Sequence, residues 1–296
     1  MRVAILSARR GWHTEELCRA LGAAGHEGVV LPYEHAIARL GAGSAASGLS
    51  SDGTAIHRAD AVLARIVPHG SLEQIIYRVD ALHWLEERGV PVVNSPRTIE
   101  RTVDKFYTSA LLQEAGLPTP ETVVCEQLDD ALAAFGAMGD VIVKPLFGSM
   151  GLGMMRVTDA DMAFRVFRAL DMMRSVFYLQ RTIDHDGRDV RAFVVGGRVL
   201  GAIERRSPGW RTNLARGGRA RAVELPPAWA SLACRAAHAV GADYAGVDLL
   251  PARDGTVYVL EVNGIPGWEG LQEAIAVNVA AAIVAHLEAR CGACGA

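Results

Sequence analysis

With 296 residues and 50% hydrophobic content, the chain can bury one large core or a few smaller ones. Its net charge of −3 gives no overall attraction to nucleic acid or to an anionic membrane, so we expect neither as a partner. The first apolar run is too short for a signal peptide, and no stretch approaches the roughly 20 apolar residues of a membrane span. Five scattered cysteines are typical of reduced thiols and predict a cytoplasmic protein.

Strand and helix patterns alternate over the first third of the chain. Ser71 is a predicted N-cap, and Gly25 and Gly89 are predicted to end helices. The predicted elements are strand 3–7, helix 14–24, strands 29–31 and 61–67, helix 72–88 and strand 90–93. This alternation predicts a small parallel α/β unit. The Gly-, Ala- and Ser-rich residues 41–50 are predicted to form a surface loop.

Beyond residue 95 the pattern changes to paired strands with helices on one side, which favours a mostly antiparallel α+β body. The predicted helices are 97–101, 104–115, 127–136 and 159–173, and the predicted strands are 122–125, 141–144, 154–157, 177–180, 190–195, 199–204, 245–250 and 257–263. The predicted fold class is therefore α/β plus α+β. Its predicted units are 1–95, 96–183 and 184–290, followed by a tail at 291–296 whose C-x-x-C is expected to be frayed.

Two neighbouring strands near the end of the chain carry facing acids. Asp254-Gly255 is a strong hairpin signal, and a two-residue turn there sets Asp248 opposite Glu261. Asn263 shares the face of Glu261, because side chains alternate along a strand. Opposed like charges are destabilising, so we interpret the three as Mg²⁺ ligands; acids on a solvated face are the alternative. Neutralising either acid is expected to abolish turnover without destabilising the metal-free protein.

A glycine-rich loop follows the strand that ends in Lys144. Glycines let backbone N–H groups approach phosphate oxygens closely, and the lysine adds a positive charge. The loop is neither a Walker loop nor a dinucleotide fingerprint, because a predicted strand follows it. We interpret it as phosphate-binding, with an ordinary turn as the alternative. Its glycines and serine are Gly148, Ser149, Gly151 and Gly153.

An arginine-rich stretch follows Glu204. In a chain of net negative charge it indicates an anion site, since arginine suits bidentate contact with phosphate or carboxylate; a solvated loop is the alternative. Its arginines are Arg205, Arg206, Arg211, Arg216, Arg219 and Arg221. The nine histidines are dispersed, and no Ser/His/Asp or Cys/His set is evident. A site without a protein nucleophile fits phosphoryl transfer between bound substrates.

The order and spacing of these motifs resemble the ATP-grasp carboxylate–amine ligases, in particular the RimK-like amino-acid ligases, over nearly the whole chain. The matching segments are Asp104-Lys105, Val143-Lys144 with 148–153, Asp189-Val190-Arg191, 202–206, 211–213, 216–218, 245–248 and 261–263 with Pro266-Gly267. The resemblance implies an ATP-grasp fold, with ATP between two α+β subdomains, preceded by an N-terminal Rossmann-like pre-ATP-grasp domain. It also implies ATP and Mg²⁺ or Mn²⁺ as cofactors.

The resemblance further implies roles for individual residues. The implied nucleotide-binding residues are Lys105, Lys144, Gly148, Ser149, Gly151, Gly153, Gln180, Arg181, Thr182, Asp189, Arg211, Thr212 and Asn213. The implied metal ligands are Asp248, Glu261 and Asn263, and the implied catalytic residues are Lys144, Arg205, Arg206, Arg211 and Asn213. The adenine hinge at 180–182 departs from the usual Gln-Glu-aromatic pattern, so backbone groups are expected to read adenine, and a different purine stays open.

The implied reaction has two steps. An acceptor carboxylate attacks the γ-phosphate of ATP to give an acylphosphate and ADP, and the amine of an amino acid, implied to be glutamate, displaces phosphate to form an amide. The many arginines predict an anionic acceptor, such as a tetrahydromethanopterin-like pterin or a deazaflavin; a ribosomal-protein carboxyl terminus is the other acceptor type. An ATP-grasp kinase and a non-catalytic nucleotide-binding protein remain alternatives. We expect a homo-oligomer.

Overall fold

The computed structural model describes residues 1–41, 47–148, 151–207 and 219–294. The predicted site residues Ser149, Arg211, Thr212 and Asn213 lie outside the described residues. The strands are β1 (Arg2–Ser7), β2 (Glu27–Pro32), β3 (Ala36–Arg39), β4 (Gly48–Ser51), β5 (Thr54–Ala55), β6 (Ala61–Ala64), β7 (Val92–Val93), β8 (Thr122–Cys125), β9 (Val141–Lys144), β10 (Met155–Val157), β11 (Phe177–Arg181), β12 (Arg188–Val195), β13 (Arg198–Arg206), β14 (Arg219–Ala222), β15 (Tyr244–Pro251) and β16 (Val257–Asn263). The helices are α1 (Trp12–Ala23), α2 (Leu72–Glu87), α3 (Pro96–Val103), α4 (Lys105–Glu114), α5 (Leu128–Met138), α6 (Ala160–Met172), α7 (Pro227–Val240), α8 (Glu269–Ala274) and α9 (Val279–Cys294).

The N-terminal unit is a parallel sheet in the order β2-β1-β6-β7. Helix α2 begins after Ser71, whose hydroxyl accepts from the backbone N–H of Gln74 at 3.3 Å, while the Gln74 amide accepts from the N–H of Ser71 at 3.0 Å. This reciprocal cap satisfies two N–H groups that the helix leaves unpaired. The predicted parallel unit and its capped helix are both confirmed.

A small antiparallel sheet, β3-β4-β5, is absent from the sequence-based prediction. The predicted loop at 41–50 is wrong at its end, because Gly48–Ser51 is a strand. Leu49 is 1% exposed and packs with Tyr33 and Ile56. Burial of this side chain outweighs the poor strand propensity of its Gly and Ser neighbours.

The central unit is an antiparallel sheet in the order β10-β9-β11-β8. Helices α5 and α6 cover one face, where Phe167 of α6 contacts Phe135 of α5 and Phe177 of β11. Val143 points into this core, and because side chains alternate along β9, Lys144 lies on the opposite face. The covered face therefore builds the core and leaves the other face for a binding site.

The C-terminal sheet is antiparallel in the order β14-β13-β12-β15-β16. One face packs on α7, with Val247 among its buried residues. The other face contributes Phe193 to a core that also contains Ile5 of β1. The predicted units 1–95 and 184–290 therefore share a hydrophobic core, although their boundaries stay predictions.

Helix α9 returns to the N-terminal unit and packs against α1. It extends to Cys294, so the prediction of a frayed tail is wrong for 291–294. Ile283 and Leu287 of α9 are both buried. A helix this close to the end of the chain is stabilised by packing of its apolar face rather than by the propensity of its last residues.

Two expectations from composition concern the described residues. No helix there combines the length and apolarity needed to cross a bilayer. Among the described residues, Cys18, Cys125 and Cys234 are reduced thiols. The cytoplasmic location and the homo-oligomeric state stay predictions.

Candidate active site

A cleft separates the open face of the central sheet from the acidic face of the C-terminal sheet. It brings together many predicted site residues: Lys105, Lys144, Gly148, Gly151, Gln180, Arg181, Thr182, Asp189, Arg205, Asp248 and Glu261. Apolar side chains complete its wall, including Ile142, Leu250 and Leu260. A cleft with cations on one side, carboxylates on the other and an apolar wall suits a ligand that carries both a phosphate chain and an aromatic base.

The acidic pair has the predicted register. Asp248 pairs directly with Glu261 across β15 and β16. Asn263 lies on the same face as Glu261, and its side-chain amide donates to Glu261 Oε1 at 3.0 Å. The strands therefore bring two carboxylates and one amide together at the edge of the cleft.

The predicted two-residue turn before this pair is wrong. The Ala252 N–H donates to the Thr256 carbonyl at 2.8 Å, so the turn contains three residues. Gly255 adopts the left-handed φ of 90° that such a turn needs. The longer turn shifts the register by one residue, and an extra residue in β16, Leu260, shifts it back. The two departures cancel at the acidic pair.

Two arginines hold the carboxylates in a ladder of alternating charges. Arg191 donates to both oxygens of Asp248, from Nε at 2.6 Å and from Nη2 at 2.7 Å, and lies 3.6 Å from Glu261. Arg205 donates to both oxygens of Asp189 at 2.6 Å and lies 3.0 Å from Asp248. The guanidinium of Arg191 thus relieves the repulsion between the acids, so a metal is not required to hold them together.

Burial and charge act in opposite directions on Asp248. Burial alone would raise its pKa, but Arg191 and Arg205 outweigh burial and hold that pKa well below the usual range. Burial likewise acts to lower the pKa of Arg205, and the facing carboxylates raise it instead. Asp248, Arg191 and Arg205 all stay ionised, because each of these charges has an opposite partner.

Arg191 is a site residue to which the sequence reasoning gave no role. Its signal was its spacing, because Arg191 is two residues from Asp189 on one strand and so shares its face. It also pairs directly with Asp248 on the neighbouring strand. Opposite charges at directly paired strand positions are in contact range, and this rule would have identified it.

Arg205 and Arg206 lie on opposite faces of β13. The Arg205 side chain is 3% exposed and lies within the ladder. The Arg206 side chain is 56% exposed and donates to Glu204 at 2.7 Å. Adjacent strand residues point in opposite directions, so the structure brings Arg205 to the cleft and does not bring Arg206 there.

Lys105 and Lys144, the two lysines of the entire sequence, both line this cleft. Lys105 Nζ donates to the Gly148 carbonyl at 2.8 Å and so contacts the glycine-rich loop. Lys144 Nζ donates to Gln180 Oε1 at 2.6 Å. Burial lowers the pKa of Lys105 and lowers that of Lys144 to about 8. A lysine desolvated in this way gains most from a bound anion, which restores its charged form.

The glycine-rich loop needs glycine for conformational reasons. Gly148, Gly151 and Gly153 have φ values of 134°, 67° and 75°, a region that other residues rarely adopt. A Cβ on Gly153 would also lie 2.8 Å from the Pro145 ring. The loop therefore combines positive-φ glycines with a position close to both lysines.

The hinge side chains bind the protein rather than pointing freely into the cleft. Arg181 donates to Glu121 at 2.7 Å, and Thr182 donates to Asp140 at 2.7 Å. The backbone N–H groups of Arg181 and Thr182 also donate within the protein, to the carbonyls of Glu121 and Asp140, so the role of this segment at a base stays a prediction. The role of Asp189 at the ribose stays a prediction, since both its oxygens accept from Arg205.

The acidic edge has donors that fit a hard divalent cation. The Glu261 side chain is 37% exposed, and Asn263 adjoins it. Asp248 uses Oδ1 once and Oδ2 twice in its arginine contacts, which leaves one of its roughly four lone-pair positions for a further ligand. Carboxylate and amide oxygens are the ligands that Mg²⁺ prefers, so this donor set fits it.

The two facing sheets, the glycine-rich loop between them and the parallel N-terminal unit define the class as the ATP-grasp fold with a pre-ATP-grasp domain. Residues 102–287 match the RimK-like ATP-grasp domain. Residues 1–99 match the RimK PreATP-grasp domain. The chain belongs to the RimK-like ATP-grasp family.

Relatives with ligase names match most of the chain. It is 36% identical over 258 residues to the tetrahydromethanopterin:alpha-L-glutamate ligase of Methanosarcina acetivorans, covering 77% of this chain and 80% of that protein. It is 33% identical over 286 residues to the protein of that name from Methanococcus maripaludis, covering 95% of each. The solved structure of the ATP-grasp ligase PsnB complexed with minimal precursor, Mg and ADP has a TM-score of 0.76 at 23% identity, covering 98% of this chain and 97% of that one. This last likeness supports the fold.

Proposed function

We propose that this protein is an ATP-dependent, ADP-forming carboxylate–amine ligase that joins glutamate to an acceptor carboxylate. The observation that carries the proposal is the cleft in which the chain's two lysines face the Asp248–Glu261 pair. Cations for a triphosphate and carboxylates for its metal are the equipment of phosphoryl transfer. Membership of the RimK-like family and the names of the two archaeal relatives support the choice of a ligase and of glutamate.

The proposed reaction has two steps, and each bond that forms is matched by one that breaks. One oxygen of the acceptor carboxylate attacks the γ-phosphorus of ATP, the bond to the β-phosphate oxygen breaks, and ADP leaves. The glutamate amine then attacks the acyl carbon, inorganic phosphate leaves, and the amine proton passes to solvent or phosphate. No protein nucleophile is needed, so the work of the protein is positioning and charge stabilisation.

Each part of the cleft has a role in this proposal. Lys105 and Lys144 bind the phosphates, and the glycine-rich loop covers them and excludes water from the acylphosphate. Glu261, Asn263 and Asp248 would hold Mg²⁺ or Mn²⁺. The bound cation would neutralise charge on the phosphate oxygens. Arg191 and Arg205 fix Asp248 in place. The roles of Arg211, Thr212 and Asn213 on the triphosphate, and of Arg206 at the acceptor, stay predictions from sequence.

The proposed acceptor is a small anionic coenzyme of the tetrahydromethanopterin type. The name shared by the two archaeal relatives supports this choice. The arginines of the ladder are already paired with carboxylates, so the anionic preference rests chiefly on the arginines between Arg206 and Arg221.

ADP release is the test. The proposal expects release that requires both glutamate and a carboxylate acceptor, with an amide product in the mass spectrum. Hydroxylamine added in place of glutamate should yield a hydroxamate, which an acylphosphate forms and a phosphorylated alcohol does not. ADP release that proceeds equally well without an amino acid would overturn the ligase assignment.

A further inference from the structure

A directed chain of hydrogen bonds begins at Lys144. Lys144 Nζ donates to Gln180 Oε1 at 2.6 Å. The Gln180 amide Nε2 in turn donates to Thr122 Oγ1 at 3.0 Å, and the Thr122 hydroxyl donates to the Pro120 carbonyl at 2.9 Å. The chain crosses the sheet from β9 through β11 to β8 and ends on a backbone carbonyl.

The chemistry of the groups fixes the direction of this chain. A lysine ammonium has donors only, so the oxygen end of the Gln180 amide must face Lys144. The nitrogen end then faces Thr122, whose hydroxyl can accept because it donates to Pro120. Gln180 is 3% exposed, so both ends of its amide are satisfied within the protein.

Tyr178 closes the arrangement on its other side. It pairs directly with Lys144 in the sheet, and the Lys144 ammonium lies 5.8 Å from the centre of its ring. The Tyr178 hydroxyl lies 2.8 Å from the Ser109 hydroxyl on α4 and accepts from Gln180 at 3.3 Å. The residue that holds Lys144 is thus itself held by two neighbours.

We propose that Gln180 is a positioning residue that fixes the Lys144 ammonium for the nucleotide phosphates, instead of a side chain that reads the adenine base. The inference rests on the proposed function, since it concerns how ATP is bound. A lysine has a flexible four-carbon stem whose freedom must be lost before it can make a directed contact. The hydrogen bond to Gln180 restricts the Lys144 side chain before ATP binds and uses one of the three N–H donors of its ammonium. The ammonium still lines the cleft.

Direct reading of a base by this amide would compete with its three observed hydrogen bonds. The amide oxygen binds Lys144, and the amide nitrogen is shared between Thr122 and Tyr178. Breaking the bond to Lys144 would leave a partly buried ammonium short of a partner, which is costly.

A double-mutant cycle separates the two roles. Binding of the non-hydrolysable analogue AMPPNP with Mg²⁺ is measured by calorimetry for wild type, Gln180→Met, Lys144→Met and the double variant. We expect Gln180→Met to weaken binding about tenfold in wild type and less than about twofold in Lys144→Met, because a positioning residue acts through its target. An equal loss in both backgrounds would overturn the proposal.

The choice of base gives a second readout. A residue that acts through Lys144 should leave the ratio of AMPPNP to GMPPNP affinity unchanged in Gln180→Met, whereas a base-reading residue should change it. Gln127→Met is the matched control, since Gln127 is exposed and its side chain does not cap α5. It should bind both analogues like wild type.

Two further measurements protect the test against misfolding. Thr122→Val keeps both Gln180 and Lys144 but removes the hydroxyl that accepts from the Gln180 amide. It should lose less AMPPNP affinity than Gln180→Met, and this loss should vanish when Thr122→Val is combined with Lys144→Met. A loss that persists in the combined variant contradicts the proposal. Because the chain has two lysines, ¹⁵N-lysine labelling gives two side-chain ammonium signals. Gln180→Met should broaden that of Lys144 and spare that of Lys105. Failure of wild type to bind AMPPNP would instead contradict the proposed function.

Discussion

Arg191 makes a bidentate contact with Asp248, from Nε to Oδ1 at 2.6 Å and from Nη2 to Oδ2 at 2.7 Å. The two residues pair directly on β12 and β15, so the sheet itself sets this geometry. The contact explains how Asp248 remains ionised next to Glu261 at low exposure. It also means that any divalent cation at this edge joins a site whose charge is already partly balanced.

Neutralising Asp248 is therefore expected to destabilise the protein. Asp248→Asn removes the bidentate partner of Arg191 and leaves Arg205 with Asp189 as its remaining carboxylate; we expect a cost of about 3–5 kcal/mol in the free energy of unfolding. This reverses the expectation from sequence alone that the metal-free variant is as stable as wild type. Urea denaturation without divalent cations measures the difference. Activity should also be lost.

Glu261→Gln is the matched control on the facing strand. The Glu261 side chain is 37% exposed and lies 3.6 Å from Arg191, so its change should alter stability by less than about 1 kcal/mol. Turnover should nevertheless fall, because a proposed metal ligand is removed. Equal stability losses in the two variants would contradict the ladder described here.

The ladder should behave as one unit. Asp189→Asn removes the bidentate partner of Arg205, which is 3% exposed, so we expect a loss of about 2–4 kcal/mol. Combined with Asp248→Asn, the total should exceed the sum of the single losses, since each single variant leaves Arg205 one carboxylate partner and the double variant removes both. Asp186→Asn, at an exposed ion pair with Arg188, is the control and should change little. Strictly additive losses would show that the pairs are independent.

The sequence was sufficient for elements with strong local signals. The capped start of α2 and the strand bounds at 122–125 and 141–144 follow from turn residues and apolar patterns. β4 and the whole of α9 did not follow, because distant packing of Leu49 and Leu287 decides them. Local propensity carries no information about such partners.

The facing acids of the site were predicted correctly only because two errors cancelled. Asp248 was set opposite Glu261 with the wrong turn, and the bulge at Leu260 corrected the count. A bulge has no reliable sequence signal, so the agreement depended on two compensating departures. Gln180 was predicted to bind nucleotide from its place in the hinge. Its contact with Lys144 depends on strand register across the sheet and was not predicted.

The role of the loop glycines can be tested by substituting two glycines of similar positive φ, one inside the loop and one outside it. Gly153→Val places a β-branched residue at a φ of 75° beside Pro145, so the loop should lose its closed conformation. We expect a higher KM for ATP and a lower kcat. Gly89→Val meets the same strain at a φ of 80° after α2 and should lower the melting temperature without changing KM. Unchanged kinetics in Gly153→Val would make the loop an ordinary turn.

Nucleotide binding is expected to be coupled to protonation of Lys144. Burial holds the pKa of this lysine at about 8 in the free protein, so at pH 8 roughly half of the molecules carry the charge, and bound phosphate should raise the pKa and complete it. Between pH 8 and the usual lysine value the unfolded chain binds more protons than the folded chain, so the free energy of unfolding rises with pH across this window. The destabilising contribution of Lys144 is fully present below pH 8 and is lost above the usual lysine value. ATP binding should weaken as pH rises, because it needs the charged lysine.

Calorimetry in buffers of different ionisation enthalpy measures this coupling. Wild type should take up about half a proton per bound AMPPNP at pH 8, and almost none at pH 6, where the lysine is already charged. Lys144→Arg keeps the charge but does not titrate in this range, so it should bind without proton uptake at either pH. Lys105→Arg should retain the uptake of wild type, because Lys144 is still present. Equal uptake in wild type and Lys144→Arg would assign the proton to another group and remove Lys144 from the phosphate site.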